Sequence, residues 1–238
     1  WNEQAHPPVG NPTKSTLVND LIMLVRKKEV HGQGWMSNAK WPLKTVEWHK
    51  VVEILDGSAA VEYKYKYARV VGHMHHMILH PDNLSQFKLA DLLSHPQFWF
   101  VLSQKVLWSK NVQEEQACPD QILLGTMDPA YCILVALVIY CLWYLHPASN
   151  GIGCVYMYTS NDRPDALKWF NQTFSHNFQK LLKVPAFQEA SDDSSKCGVY
   201  SLCKYPTIFA KQNSGCIQED INVQGHWKLH QSHALDWY

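Results

Sequence analysis

The longest apolar run in the chain does most to constrain its fold. Residues 131–145 contain no charged side chain, and Asp128 and Pro129 lie shortly before them. Aspartate favours a helix N-cap and proline the first helical position, so this pattern predicts a helix that Pro147 ends. The run is shorter than the roughly 20 residues that cross a bilayer, and shorter apolar runs are typical of core helices. It therefore predicts the central helix of a folded domain, with no membrane as a partner.

Helical periodicity recurs in four other stretches. Apolar residues at spacings of three and four predict helices over residues 17–30, 45–55, 63–80 and 164–183, and Thr45 is a candidate cap of the second. Each helix offers one apolar stripe to a shared interior. The chain therefore contains enough amphipathic helix to surround a core.

A β-rich region interrupts these helices. Residues 98–105, 106–112 and 121–126 are rich in β-forming residues and partly alternate, which predicts strands of a small antiparallel sheet. Residues 87–93, just before them, predict a short helix. The predicted fold class is mainly α with a small antiparallel β-sheet, an α+β domain.

Composition and charge limit what kind of protein this chain can be. Apolar residues make up 46% of the chain, which suffices for a sizeable core, and the formal net charge is zero. A neutral chain offers no bulk electrostatic attraction for nucleic acid. The seven cysteines form no CxxC pair, and the first residues are not those of a signal peptide. We expect free thiols in an intracellular, reducing compartment and a protein that is not secreted.

A histidine-rich stretch raises the question of a metal site. His76 and His80 are four residues apart, so on one helix both could bind a zinc ion. No acidic residue follows in the metalloprotease pattern, and no cysteine lies nearby. The alternative places these histidines on a helix surface or in a groove. We expect no metal and, without a glycine-rich phosphate loop, no nucleotide cofactor or small-molecule substrate.

Four short motifs follow one another in the second part of the chain. They are Trp-Ser-Lys-Asn at residues 108–111, Asp-Pro-Ala-Tyr-Cys at 128–132, Gly-Val-Tyr-Ser-Leu-Cys-Lys at 198–204, and Gln-Gly-His-Trp-Lys followed by Asp-Trp-Tyr within 224–238. In order and spacing they resemble the catalytic domain of tyrosine recombinases, the phage-integrase family of DNA breaking and rejoining enzymes. The resemblance is greatest to a divergent eukaryotic branch found in mobile elements.

This resemblance implies a division of the chain and a location. Residues 1–40 correspond to the tail of an N-terminal helical, core-binding-like region and its linker, and residues 41–238 to the catalytic domain. The family implies double-stranded DNA as the partner, self-association on that DNA, and a nuclear location in a eukaryotic host.

The family also implies a concrete reaction. A tyrosine phenolate attacks a DNA phosphodiester and forms a 3′-phosphotyrosine intermediate, which retains the bond energy for rejoining. Two arginines bind the non-bridging phosphate oxygens, and a lysine on a β-hairpin protonates the leaving 5′-oxygen. This chemistry requires no metal and no other cofactor.

Three residues match the reacting groups of that family. Tyr238 matches the nucleophile, Trp227 the phosphate-contacting His or Trp, and Lys110 the general acid. Trp227 could instead pack in the core, and Lys110 could instead be a solvated turn residue. The positions that the resemblance assigns to DNA binding are Lys204, His226 and Lys228.

The phosphate-binding positions depart from the family. His80 and Cys203 stand where the two arginines are expected, Tyr200 stands for a histidine, and Asp82 is the retained acid. Losing one oxyanion donor typically costs about 10²–10³ in rate, so losing two should nearly abolish strand cleavage. We predict a degenerate recombinase site. The alternative is a DNA- or protein-binding module on the same fold without catalysis.

Overall fold

The structure, a computed structural model, describes residues 40–106, 120–145, 156–159, 165–213 and 215–225, together with residues 18, 20, 21, 24 and 25. The chain divides into two compact units, Trp1–Ala39 and Lys40–Tyr238. The five described residues of the first unit are helical and fall in the predicted helix at 17–30. The second unit is mostly helical with a small antiparallel sheet, which confirms the predicted α+β class.

Eight α-helices and three strands are described in the second unit. The helices are α1 (Thr45–Asp56), α2 (Ala68–Met77), α3 (Pro81–Leu84), α4 (Ile133–Tyr140), α5 (Ala166–Leu181), α6 (Pro185–Ala190), α7 (Val199–Asn213) and α8 (Gln218–Gln224). The strands are β1 (Leu92–Ser94), β2 (Leu102–Gln104) and β3 (Gln121–Leu123). Two π-helical segments, Glu62–Tyr67 and Cys141–Leu145, precede α2 and extend α4. Short 3₁₀ turns occupy Leu89–Asp91 and Ser194–Lys196.

The sheet is antiparallel throughout, in the order β1-β2-β3. Leu123 is fully buried in the core, so the sheet face that carries its side chain is the inner one. β2 and β3 lie within the predicted strands 98–105 and 121–126 but are shorter than predicted. The predicted helix at 87–93 is found only as the 3₁₀ turn Leu89–Asp91, because β1 begins inside the predicted range and pairs with β2. Most of the predicted strand 106–112 lies outside the described residues.

The centre of the second unit is α2. This helix packs against α1, α3, α4, α7 and β3, and its buried face includes Val70, His73, Met74 and Met77. The helix predicted over residues 131–145 is found as α4 and the π-helical segment after it. It is buried on one side only, since Leu142 is exposed, and α2 takes the central position. None of the described helices is both long and apolar enough to cross a membrane.

The start of α4 also differs from the prediction. Asp128 caps a turn through Oδ1, which accepts a hydrogen bond from the Ala130 N–H at 2.9 Å. The helix begins only at Ile133, with Cys132 as its N-cap. The Asp-Pro pair therefore stabilises a turn before the helix. Likewise Lys44, and not Thr45, is the N-cap of α1, and its N–H donates to Glu47 Oε2 at 2.6 Å.

Helix α5 matches its sequence pattern closely. Phe170, Phe174 and Phe178 occupy successive turns of one face and are buried, with ring centroids 6.0 Å and 6.2 Å apart. Leu181 and Leu182 continue this buried face. The helix predicted over residues 164–183 and its apolar face are confirmed at these positions. The side chain of Leu167, which the same apolar spacing assigns to this face, lies outside the described residues.

Candidate functional site

A left-handed residue ends α2 and directs the chain into the candidate site. Ile78 has φ +52°, a conformation that a β-branched residue adopts at a cost of roughly 1–2 kcal/mol. Its side chain is buried against Ile221, which offsets that cost, and the Leu79 N–H donates to the Met74 carbonyl at 3.3 Å. The helix predicted over residues 63–80 therefore ends at Met77. His80 lies beyond it, on a separate turn.

His80 begins the next helix. It is the N-cap of α3, and Pro81 occupies the first helical position. His80 Nδ1 lies 3.3 Å from the Asp82 N–H and 3.0 Å from Asp82 Oδ2. Nδ1 accepts from the amide when it carries no proton and donates to the carboxylate when it carries one. His80 Nε2 is buried without a hydrogen-bond partner.

The second half of the site is the first turn of α7. Ser201 Oγ accepts a hydrogen bond from the Gly198 N–H at 2.9 Å and thereby caps the start of the helix. The Lys40 side chain lies directly over Gly198, where an added Cβ would stand 3.0 Å from Lys40 Cγ. This close approach explains the glycine. Because they are three residues apart, Tyr200 and Cys203 lie on the same face of α7.

These two segments meet, although more than 100 residues separate them. The rings of His80 and Tyr200 lie 4.6 Å apart between centroids, with an interplanar angle of 42°. Cys203 Sγ donates to the carbonyl of Leu79 at 3.3 Å. Three of the predicted site residues, His80, Tyr200 and Cys203, are therefore neighbours in the structure.

The chemistry available at this cluster is limited. Cys203 is buried, and burial together with the Asp82 carboxylate raises the pKa of its thiol to about 12. The side chain is thus a neutral thiol at physiological pH, with one weak donor directed at a backbone carbonyl. The arginine that the structure describes, Arg69, is paired with Asp56 at 2.8 Å. The cluster of His80, Tyr200 and Cys203 therefore contains no planar group that could bind two phosphate oxygens.

Lys204 has a structural contact. Its Nζ donates to the carbonyl of Lys40 at 2.5 Å, and Lys40 Nζ in turn donates to the carbonyl of Ser195 at 2.9 Å. These two amines tie the beginning of the second unit to the start of α7. A DNA-binding role for Lys204 stays a prediction.

No protein-family model matches the chain, and no curated protein matches it. The resemblance to tyrosine recombinases therefore stays a prediction from the four sequence motifs.

The remaining predicted site residues lie outside the described residues. They are Lys110, His226, Trp227, Lys228 and Tyr238. Their assignments as general acid, phosphate or DNA contacts and nucleophile stay predictions.

The zinc alternative loses its geometric basis. His76 lies on α2 and His80 beyond its end, so the two do not share a helix face. His76 Nε2 lies 3.3 Å from the Tyr131 carbonyl, and burial lowers the pKa of its imidazole. Within the described ranges no three His, Cys, Asp or Glu side chains are grouped as metal ligands.

A groove on the other side of α7 was not predicted from the sequence. Its volume is about 620 Å³, and Trp41, Leu43, Tyr205 and Phe209 contribute to its walls. Tyr205 continues inward to a stack with Trp48, at 5.6 Å between ring centroids. No periodicity links the short segment at residues 41–45 to a helix that starts at Val199, so the sequence carried no signal for this groove.

Proposed function

We propose that residues 40–238 form a tyrosine recombinase-like, DNA-binding domain in which DNA strand breaking and rejoining is strongly impaired. The observation that supports this proposal is the meeting of His80 with Tyr200 and Cys203. The sequence motifs alone assign these three residues to one phosphate-binding site. That assignment requires the three residues to lie close together, and they are neighbours in the fold.

The same cluster supports the loss of activity. A pentavalent phosphate carries charge on two non-bridging oxygens, which two guanidinium groups would bind. Here one position carries a buried thiol and the other an imidazole that already contacts Asp82. Each lost donor typically lowers the rate about 10²–10³-fold. The loss of two should therefore lower the rate of strand cleavage by roughly 10⁴-fold or more.

Binding to double-stranded DNA is the activity we expect to survive, as in a decayed mobile-element enzyme. Phosphate contacts that give affinity are spread over a surface, so they do not depend on the two lost arginines alone. The second candidate function is a DNA- or protein-binding module without catalysis. The contact of Lys204 favours this second candidate, because the Lys204 amine already donates to the Lys40 carbonyl within the protein.

Covalent trapping tests the proposal. Nicked suicide duplexes with a randomised central sequence would be incubated with the wild-type chain, and denaturing gels would reveal any protein–DNA adduct. We expect salt-sensitive DNA binding, a trace of adduct at most, and no adduct with Tyr238→Phe. The triple variant His80→Arg, Tyr200→His and Cys203→Arg should raise the adduct yield, and adding Tyr238→Phe to it should remove the adduct again.

Three outcomes would contradict the proposal. Abundant adduct from the wild-type chain would show that catalysis is intact. Circular dichroism would establish that the triple variant is folded, since arginine at the buried Cys203 position needs the Asp82 carboxylate as a partner. A folded triple variant without any gain in adduct would contradict the assignment of these residues. Absence of DNA binding at low salt would exclude a DNA partner.

A further inference from the structure

A pocket beside helix α4 shares no residue with the cluster of His80, Tyr200 and Cys203. Its volume is about 430 Å³, which falls in the roughly 300–1,000 Å³ range of small-molecule sites. Its walls combine charged, aromatic and apolar side chains. The ones that matter here are Asp56, Lys64, Arg69, Tyr65, Val135 and Trp143.

Both π-helical segments that the structure describes contribute to this pocket. Lys64 and Tyr65 belong to Glu62–Tyr67, and Trp143 belongs to Cys141–Leu145. The two segments pack against each other. A π-helical turn inserts an extra residue between hydrogen-bonded groups, and such turns are rare and frequently occur at functional sites. Two separate π-helical segments at one pocket indicate that its shape serves more than packing.

The apolar wall of the pocket is open to solvent. Trp143 is 65% exposed and Val135 is 42% exposed, while Tyr65 is half-buried. Apolar area left in water contributes nothing to the stability of the fold, and it is buried when a ligand covers it. An aromatic ligand suits this wall best, because the indole and phenol rings offer it flat faces.

Two cations at the pocket share a single carboxylate. Arg69 Nη2 donates to Asp56 Oδ1 at 2.8 Å. Burial raises the pKa of the Asp56 carboxyl, and the charges of Arg69 and Lys64 both act to lower it. Lys64 forms no salt bridge with any described residue, and its Nζ lies 5.8 Å from the ring centroid of Tyr65. The charged side chains of the pocket therefore leave one positive charge uncompensated.

Neighbouring carboxylates do not take up this charge. Glu62 Oε1 accepts from Lys66 Nζ at 3.3 Å, and Asp128 Oδ1 accepts from the Ala130 N–H at 2.9 Å. Neither carboxylate lines the pocket. The guanidinium of Arg69 carries five N–H donors, and its buried Nε has no hydrogen-bond partner among the described residues. The pocket thus offers an ammonium and spare guanidinium donors to an anion.

We propose that this pocket binds a small organic anion in which one carboxylate is joined to an aromatic body. The carboxylate accepts from the Lys64 ammonium near the Arg69 guanidinium, and the aromatic body covers Val135 and Trp143. One uncompensated positive charge matches a carboxylate, whereas a phosphate monoester carries close to two negative charges at pH 7. Binding uses none of the residues assigned to phosphate or DNA contacts, so it is independent of the recombinase proposal.

Saturation-transfer NMR with the full chain tests the charge preference of the pocket. The probes share one aromatic body and differ in charge: 2-naphthoate, the neutral 2-naphthylmethanol and the cationic 2-naphthylmethylammonium, each titrated at pH 7. We expect 2-naphthoate to bind about tenfold more tightly than the alcohol, because it adds a hydrogen bond between charged groups. The ammonium should bind most weakly, since it meets the charge of Lys64.

Two variants separate the charged contact from the aromatic one. Lys64→Gln should weaken 2-naphthoate about tenfold and leave 2-naphthylmethanol unchanged, because only a charge is removed. Trp143→Ser should weaken both probes about fivefold, because it removes part of the apolar wall. Lys168→Gln and Trp99→Ser are matched controls, since they replace exposed residues of the same types that do not line the pocket. Circular dichroism should show the same fold for all four variants.

The proposal fails on any of four results. These are a wild-type chain that binds none of the probes, an ammonium probe that binds as tightly as 2-naphthoate, a folded Lys64→Gln variant that binds 2-naphthoate as the wild type does, and control variants that weaken binding as much as the pocket variants do. A wild-type dimer in sedimentation velocity that excludes all three probes, and that Trp143→Ser dissociates, would assign the exposed wall to a second copy and also overturn the proposal.

Discussion

Two histidines that lie seven residues apart each pair with a tyrosine from elsewhere in the chain, and the two pairs differ in burial and in the kind of contact. His73 and Tyr158 are buried in the core, where His73 Nδ1 is hydrogen-bonded to the tyrosine hydroxyl. His80 and Tyr200 meet at the surface by ring contact, and Tyr200 is 54% exposed. The first pair joins α2 to residues 156–159, and the second joins the start of α3 to α7.

The difference shows how one helix end changes the surroundings of two nearby histidines. Before Ile78 the histidines lie on α2 and face the core, where burial lowers the pKa of His73 to about 3. After Ile78 the chain leaves the helix, and His80 lies beside Asp82. Because both residues are histidines, residue type alone does not distinguish His73 from His80. The core pair should therefore govern stability, and the surface pair should be nearly neutral for it.

The largest expected effect is on acid stability. Burial, with a smaller effect of the His76 charge, lowers the pKa of His73 and of His75 to about 3, against about 6.5 in the unfolded chain. Each therefore contributes stability that is complete above pH 6.5 and is lost as the pH falls toward 3. The loss is on the order of 4 kcal/mol for each histidine. Urea unfolding between pH 7 and pH 3.5 measures it.

A non-titrating variant isolates the core histidine. In His73→Asn the side-chain amide can still partner Tyr158 but gains no proton on unfolding. The free energy of unfolding should then fall less between pH 6.5 and 3.5 than in the wild-type chain. An unchanged pH dependence would show that His73 is not the buried neutral group described above.

A second experiment compares the two tyrosines directly. Tyr158→Phe leaves the buried His73 Nδ1 without a partner and should lower the free energy of unfolding by about 1–3 kcal/mol. Tyr200→Phe removes the hydroxyl of a half-exposed ring and should change it by at most about 0.5 kcal/mol. Chemical denaturation at pH 7 measures both. Equal effects would mean that the two pairs do not differ as their burial indicates.

A small effect is also expected at His80 itself. His80→Ala removes the side-chain acceptor at the start of α3, which should cost about 0.5–1 kcal/mol. His80→Asn should restore most of that loss, because asparagine is a favoured N-cap. If both variants match the wild-type chain in thermal unfolding, the hydrogen bond to the Asp82 amide contributes nothing to stability.

Sequence patterns predicted helices best where one face is uniformly apolar. Phe170, Phe174 and Phe178 repeat at four-residue intervals, and α5 buries all three. At residues 131–145 the pattern predicted a helix but not its place in the fold, because a run that is apolar on every side does not indicate which side is buried. It also extended α2 to His80, since no periodicity marks a left-handed residue such as Ile78.

The candidate site was predicted as a set of residues but not as a geometry. Motif comparison grouped His80, Tyr200 and Cys203, and the structure brings these three together. It did not predict that Cys203 donates to the Leu79 carbonyl or that Lys204 donates to Lys40. Both are contacts between segments far apart in the chain, and local spacing carries no information about them.

The sequence by itself determined the mainly helical composition and the apolar face of α5, because these depend on local spacing and residue type. Only the tertiary structure decided which helix lies at the centre, which histidines are buried and which sheet face remains exposed. Those outcomes depend on what each surface packs against. His73 and His80 are residues of the same type in one short segment, and they differ only in what surrounds them.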